Sequence, residues 1–161
     1  MRLPIYLKRK AQTMGKYADK ACDLFVNGAN CAQAVFAAFS EELGMEEELC
    51  LKLSSTFGGG MGRLREVCGA VSGMFMVAGV LKGYGANDDA AKAEVYALVQ
   101  DMANQFKAQH STIICRELLR LPSAVPASPV PTKRDESFYK SRPCLHFVET
   151  AALIAEKLLE E

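Results

Sequence analysis

The sequence predicts an all-α fold: one compact single-domain bundle of about six helices, broken by a glycine-rich loop and by a proline-rich excursion before the last helix. Three observations predict it. Apolar residues recur at spacings of three and four along most of the chain, the period of a helix with one buried face. No stretch alternates apolar and polar residues as a half-buried strand would. The periodic segments break at glycine, asparagine and proline, the residues that close helices. At 161 residues the chain has the length of one domain able to bury a core without covalent staples.

The first helix is expected over 14–26, with Tyr17, Ala18, Ala21, Cys22 and Phe25 facing inward, and Asn27-Gly28 ends it. Asn30 followed by Gln33 has the spacing of a capping box, so a second helix begins at Cys31 and runs to about 43, where Gly44 closes it. A third starts at Glu46, with glutamates in its first turn where they favour the helix dipole, and is expected to bury Leu49, Cys50, Leu53 and Phe57. Gly58-Gly59-Gly60-Met61-Gly62 suits neither helix nor strand. An uncharged helix over 67–81 follows; its 15 residues fall short of the roughly 17–25 that cross a bilayer, so it reads as buried rather than membrane-spanning. Gly69, Gly73 and Gly79 within it each cost on the order of 1 kcal/mol against alanine, which implies a close neighbour.

Asp88 and Asp89 open a long helix reaching about 109, with an expected buried stripe of Ala91, Val95, Leu98, Val99, Met102 and Phe106. Ser111 or Thr112 caps a short helix holding Ile114, Cys115, Leu118 and Leu119. Pro122, Pro126, Pro129 and Pro131 then deny helix, and 121–142 reads as an extended surface excursion. The last helix starts near Pro143, with Val148, Ala151, Ala152, Ala155 and Leu158 inside.

Composition narrows the function. Lysine plus arginine equals aspartate plus glutamate at 19 each, so no surplus cation exists to hold nucleic acid, and 8% aromatic residues are few for base stacking. Arg2, Lys8, Arg9 and Lys10 are followed by no apolar run of signal-peptide length, so the expected location is cytoplasmic. In a reducing compartment six cysteines are better suited to metal ligation or working thiols than to structural bridges.

Four of the six, Cys31, Cys68, Cys115 and Cys144, fall in or beside the first turn of an expected helix. Unpaired N–H groups and the positive dipole end there favour a thiolate and lower its pKa. Cys22 and Cys50 lie mid-helix on apolar faces and read as small hydrophobes. The gaps of 37, 47 and 29 residues contain no C-x-x-C and no zinc-finger or ferredoxin spacing, so any site is assembled by tertiary folding. The glycine loop lacks the strand, the third glycine and the lysine-serine pair of a nucleotide-binding loop. Its use is conformational: a sharp turn that brings Cys68 beside the second helix, with Arg63 and Arg65 near enough to favour a thiolate and Glu66 opposing them. Gly69 and Gly73 leave one helix face bare, either for a tight crossing or for a cluster or substrate, and are the candidate cofactor-binding glycines. His110 and His146 read as ordinary core or surface histidines.

Asn30-Cys31-Ala32-Gln33-Ala34-Val35, Phe57-Gly58-Gly59-Gly60-Met61-Gly62, Glu66-Val67-Cys68-Gly69-Ala70-Val71-Ser72-Gly73, Cys115-Arg116-Glu117-Leu118-Leu119 and Cys144 together resemble the C_GCAxxG_C_C family. The resemblance implies an all-helical redox protein whose four characteristic cysteines are Cys31, Cys68, Cys115 and Cys144. It also implies a link to transporters, and related modules in multihaem or iron–sulfur proteins make a cluster thinkable; haem is not carried over, since C-x-x-C-H is absent. Residues 1–13 lie outside the likeness and read as an N-terminal extension to a domain over 14–161.

Three functions follow as expectations. The first is a thiol-based redox protein, working by dithiol/disulfide cycling or electron transfer with an unidentified redox partner, in which two of the four cysteines react and the others support them. The second is a four-cysteine iron–sulfur or zinc protein, with the same four residues as metal ligands. The third is a non-catalytic helical module that docks on a partner. Self-association as a homo-oligomer is compatible with each.

Overall fold

Helix α1, Lys16–Val26, lays Tyr17, Ala18, Ala21, Cys22 and Phe25 against the core, as its three-four spacing requires. The computed structural model describes residues 15–123 and 126–160, so the expected extension over 1–13 and the helix start at Met14 lie outside the described residues. After α1 come α2, Cys31–Ala38; α3, Glu47–Ser54; α4, Gly69–Lys82; α5, Asp89–His110; α6, Cys115–Leu118; α7, Glu136–Ser141; and α8, Cys144–Glu156. The fold is all-α and compact, and six of these helices have seven or more residues. Among the described residues no helix is long and apolar enough to cross a membrane.

Helices α1, α2, α4 and α8 form the heart of the bundle, with α2 and α4 in the closest embrace. The core they share is built from alanines and a few large side chains, Phe36, Phe39, Met74 and Val148 among them, all essentially inaccessible. Two glycines allow the α2–α4 crossing. A Cβ on Gly73 would stand 2.7 Å from the Ala32 carbonyl oxygen and 3.0 Å from Val35 Cβ, and one on Gly69 would collide with Cys31 Sγ. Gly79, in the same helix, has nothing within 4 Å of its would-be Cβ, so the expected close neighbour is absent there.

Several expectations are corrected. Helix α2 stops at Ala38 and turns carry the chain to Gly44. Helix α3 buries only Cys50 and Ser54, leaving Leu49 47% and Leu53 48% exposed, because its main neighbour, α2, covers one narrow seam of it. Helix α5 buries Met102, Ala103 and Phe106, whereas Ala91, Val95, Leu98 and Val99 of its stripe are only half-buried. At 22 residues it is about 33 Å long, whereas the 14-residue α4 and 13-residue α8 that it packs on span about 20 Å, so its amino half overhangs. The excursion over 121–142 is extended only in part, since Asp135 accepts the Phe138 N–H and nucleates α7 in a stretch free of proline.

The described residues also contain a feature outside helical reading. Val67 and Ile114 form an isolated antiparallel bridge, flanked by Cys68 N–H donating to Ile113 O at 2.8 Å and Cys115 N–H to Glu66 O at 2.6 Å.

Candidate functional site

Each of the four cysteines is positioned by a different local device. Cys31 is the first residue of α2, fixed by the capping box in which Asn30 Oδ1 accepts the Gln33 N–H at 2.9 Å and Gln33 Oε1 the Asn30 N–H at 3.0 Å. The same Asn30 side chain donates to Ser55 O at 3.0 Å, tying the start of α2 to the approach to the glycine loop. Cys68 is the N-cap of α4, with extended backbone and no hydrogen bond from its side chain to the first turn. Cys115 opens α6, and the Val67–Ile114 bridge sets it beside the segment that carries Cys68. Cys144 opens α8 directly after Pro143.

The glycine run explains how two of these segments meet. Gly59, Gly60, Met61, Gly62 and Arg63 all have positive φ, between 59° and 73°, so the backbone makes a left-handed turn. Each non-glycine residue in that region costs about 1–2 kcal/mol, which is why three of the five are glycine. Gly60 also has no room for a side chain, since its Cβ would lie 2.6 Å from Cys115 Cβ. The turn reverses the chain and feeds residues 66–68 into the bridge, with Glu66 N–H donating to Gly60 O at 3.0 Å.

All four cysteines line one cavity of about 330 Å³, the size of a small-molecule site. Phe25, Phe138 and Phe147 form apolar wall, and Arg63, Arg65, Arg134 and Arg142 line it as well. No disulfide links the cysteines, and Cys68 and Cys115 are buried whereas Cys31 and Cys144 are half-buried. Cys22 and Cys50 sit in the core away from the cavity, at 4% and 0% exposure. Gly69 lines the cavity against Cys31; Gly73 does not, and the space beside it is filled by the backbone of α2. His110 lies between Phe106 and Phe147 and shares a 2.8 Å hydrogen bond with Thr150, while His146 is 3.6 Å from Glu149; both lie outside the cavity lining.

Cys68, Cys115 and Cys144 are raised, against the expected lowering. Burial pushes the Cys144 thiol up to about 12, with nearby Cys31 adding to the rise and Arg142 working against it. Burial likewise raises Cys68 well above the ordinary range, seconded by Cys31, and raises Cys115 despite Arg65. Withdrawal from water opposes thiolate formation more strongly than one helix end favours it. Helix α6, of four residues, has little dipole to offer in any case. Arg65 Nη1 approaches Cys115 Sγ at 3.8 Å rather than Cys68. Sequence reasoning missed Arg134 and Arg142 as lining residues, although Arg142 stands two positions before Cys144.

A helical bundle that gathers four unlinked thiols from four separate helix starts around one cavity defines a class of thiol protein built without any local cysteine motif. The family model described as "Putative redox-active protein (C_GCAxxG_C_C)" matches residues 29–158, and the chain belongs to that family. No curated protein and no solved structure matches the chain.

Proposed function

We propose that the cavity is a dithiol/disulfide redox centre in which Cys31 and Cys68 are the reacting pair and Cys115 and Cys144 support them. The observation that carries this reading is the seating of Cys31 Sγ against the Gly69 backbone, next to Cys68, inside the cavity that all four cysteines line. Cys31 is the more exposed of the pair and is the attacking thiol. It gives its proton to solvent, and its thiolate attacks one sulfur of a small disulfide RSSR, expelling RS⁻, which takes up a proton. Cys68 then loses its proton and attacks the Cys31 sulfur, releasing the second RSH. The net change is two protein thiols and RSSR to one protein disulfide and two RSH, with two electrons and two protons transferred.

Thiol titration before and after mild oxidation tests the proposal. A reversible loss of two thiols per chain, abolished by Cys31→Ser or Cys68→Ser and retained in Cys22→Ser, is the expected result. Six thiols that never react would support the docking module instead.

A second reading keeps Cys31, Cys68, Cys115 and Cys144 as ligands of zinc or an iron–sulfur cluster. Four soft sulfur donors around one cavity fit such a group in kind and number. Against it, among the described residues no three Cys, His, Asp or Glu side chains stand together ready to share one ion. Stoichiometric metal in anaerobically purified protein would put this reading first.

A further inference from the structure

The cavity wall carries four guanidinium groups and, among the described residues, no carboxylate. In a chain with balanced charge, that local excess is created by folding: Arg63 and Arg65 come from the left-handed turn, Arg134 from ahead of α7, and Arg142 from ahead of α8. All four are half-buried, and no ion pair joins any of them to a described carboxylate. Half-buried like charges without a counterion are unfavourable. Consistently, burial lowers the Arg63 pKa, and Arg65 and Arg142 lower it further.

Their existing bonds leave capacity to spare. Arg134 donates to Phe25 O and Ala29 O, both at 3.1 Å, and lies over the Phe25 and Phe138 rings, so it acts as a strut. Arg63 donates to Ser128 O at 2.9 Å and Thr132 Oγ1 at 3.4 Å, and Arg142 to the same Thr132 oxygen at 3.3 Å. Among the described residues the Arg65 guanidinium reaches only Cys115 Sγ, at 3.8 Å. A guanidinium has five N–H donors, so Arg65 and Arg142 keep most of theirs. Burial raises the Cys68, Cys115 and Cys144 thiols and so disfavours thiolates as partners for these cations.

We infer that the cavity binds a small anion through its oxygen atoms, with Arg65 and Arg142 as the principal donors, and that the disulfide reduced by Cys31 and Cys68 is therefore a small acidic one. The forked geometry of guanidinium suits carboxylate, sulfate and phosphate alike. The second half of the inference rests on the dithiol reading; the first half does not.

The reduced protein is mixed with dithiodiglycolate, a dicarboxylate disulfide, or with neutral bis(hydroxyethyl) disulfide, and thiol loss is followed. The acidic disulfide should react at least about tenfold faster, the scale of charge focusing in a cleft. Sulfate at fixed ionic strength should slow only the acidic reagent in unmodified protein, and Arg65→Gln with Arg142→Gln should erase the preference. The paired Arg→Lys variant, which keeps charge and loses the fork, should retain part of it. Saturable sulfate binding to Cys31→Ser protein, measured by equilibrium dialysis, reads the anion site without thiol chemistry. If sulfate binds in an arginine-dependent way but neither disulfide reacts, the anion site stands and the dithiol reading falls. Equal rates with both disulfides and no saturable sulfate binding would overturn the inference while leaving the dithiol centre intact.

Discussion

Three glycines of α4 give alanine substitutions of opposite sign. At Gly79 nothing lies within 4 Å of the new Cβ, so Gly79→Ala meets no clash and gains helix propensity. That gain is about 1 kcal/mol. At Gly73 the same propensity gain is set against a methyl 2.7 Å from the Ala32 carbonyl oxygen, where ordinary contact begins near 3.4 Å. The obstacle is backbone of the central α2–α4 crossing, so the helices must separate. Overpacking of this kind costs about 1–3 kcal/mol. The net effect at Gly73 is therefore zero to about 2 kcal/mol destabilising, and the two variants differ by about 1–3 kcal/mol. For a chain of this size each kcal/mol moves the Tm by about 2–4 °C. Gly79→Ala should melt about 2–4 °C above the wild type and Gly73→Ala at or below it, with thermal unfolding followed by circular dichroism under reducing conditions. Gly69→Ala should resemble Gly73→Ala in stability and additionally alter Cys31 alkylation, because its methyl displaces the Cys31 sulfur. A Gly73→Ala protein as stable as Gly79→Ala would refute the claim that close backbone approach, rather than cofactor space, accounts for glycine at position 73.

Other outcomes follow from the same geometry. Asn30→Ala removes the capping box and the tether to Ser55 O and should cost about 1–2 kcal/mol in urea unfolding. Arg134→Met keeps bulk near Phe25 and Phe138 but takes the guanidinium donors from Ala29 O and from Phe25 O, which keeps the Gly28 N–H at 3.3 Å, so unfolding should be easier by about 1–2 kcal/mol. The pH dependence has a definite sign. The folded-state pKa of Cys144 is raised to about 12, so the stability tied to its protonated form is complete below the ordinary thiol value and is lost as pH climbs toward 12. Urea midpoints of reduced protein should therefore fall between about pH 9 and 12, and a Cys144→Ala variant should show a shallower fall. Alkylation mapped by mass spectrometry at pH 8 should be slow at Cys144 and Cys68 relative to an unfolded control.

The sequence by itself determined the helical class, because the three-four spacing in α1 and α8 marks an inner face, and those positions are buried, α8 burying Phe147, Thr150 and Ile154 besides. It also determined the start of α2, since the Asn30–Gln33 capping box is closed by residues three apart. Which apolar faces would find a neighbour was decided only in three dimensions. Leu49 and Leu53 have the right period yet stay exposed, and the amino half of α5 overhangs, because burial depends on the length and position of other helices. The four cysteines could be singled out from their places at helix starts, but the bridge between 67 and 114 that sets Cys68 beside Cys115 joins segments 47 residues apart. The thiol pKa values went the other way from the sequence reading for the same reason: a helix end is local, whereas the loss of water around Cys68, Cys115 and Cys144 comes from every element that closes the cavity.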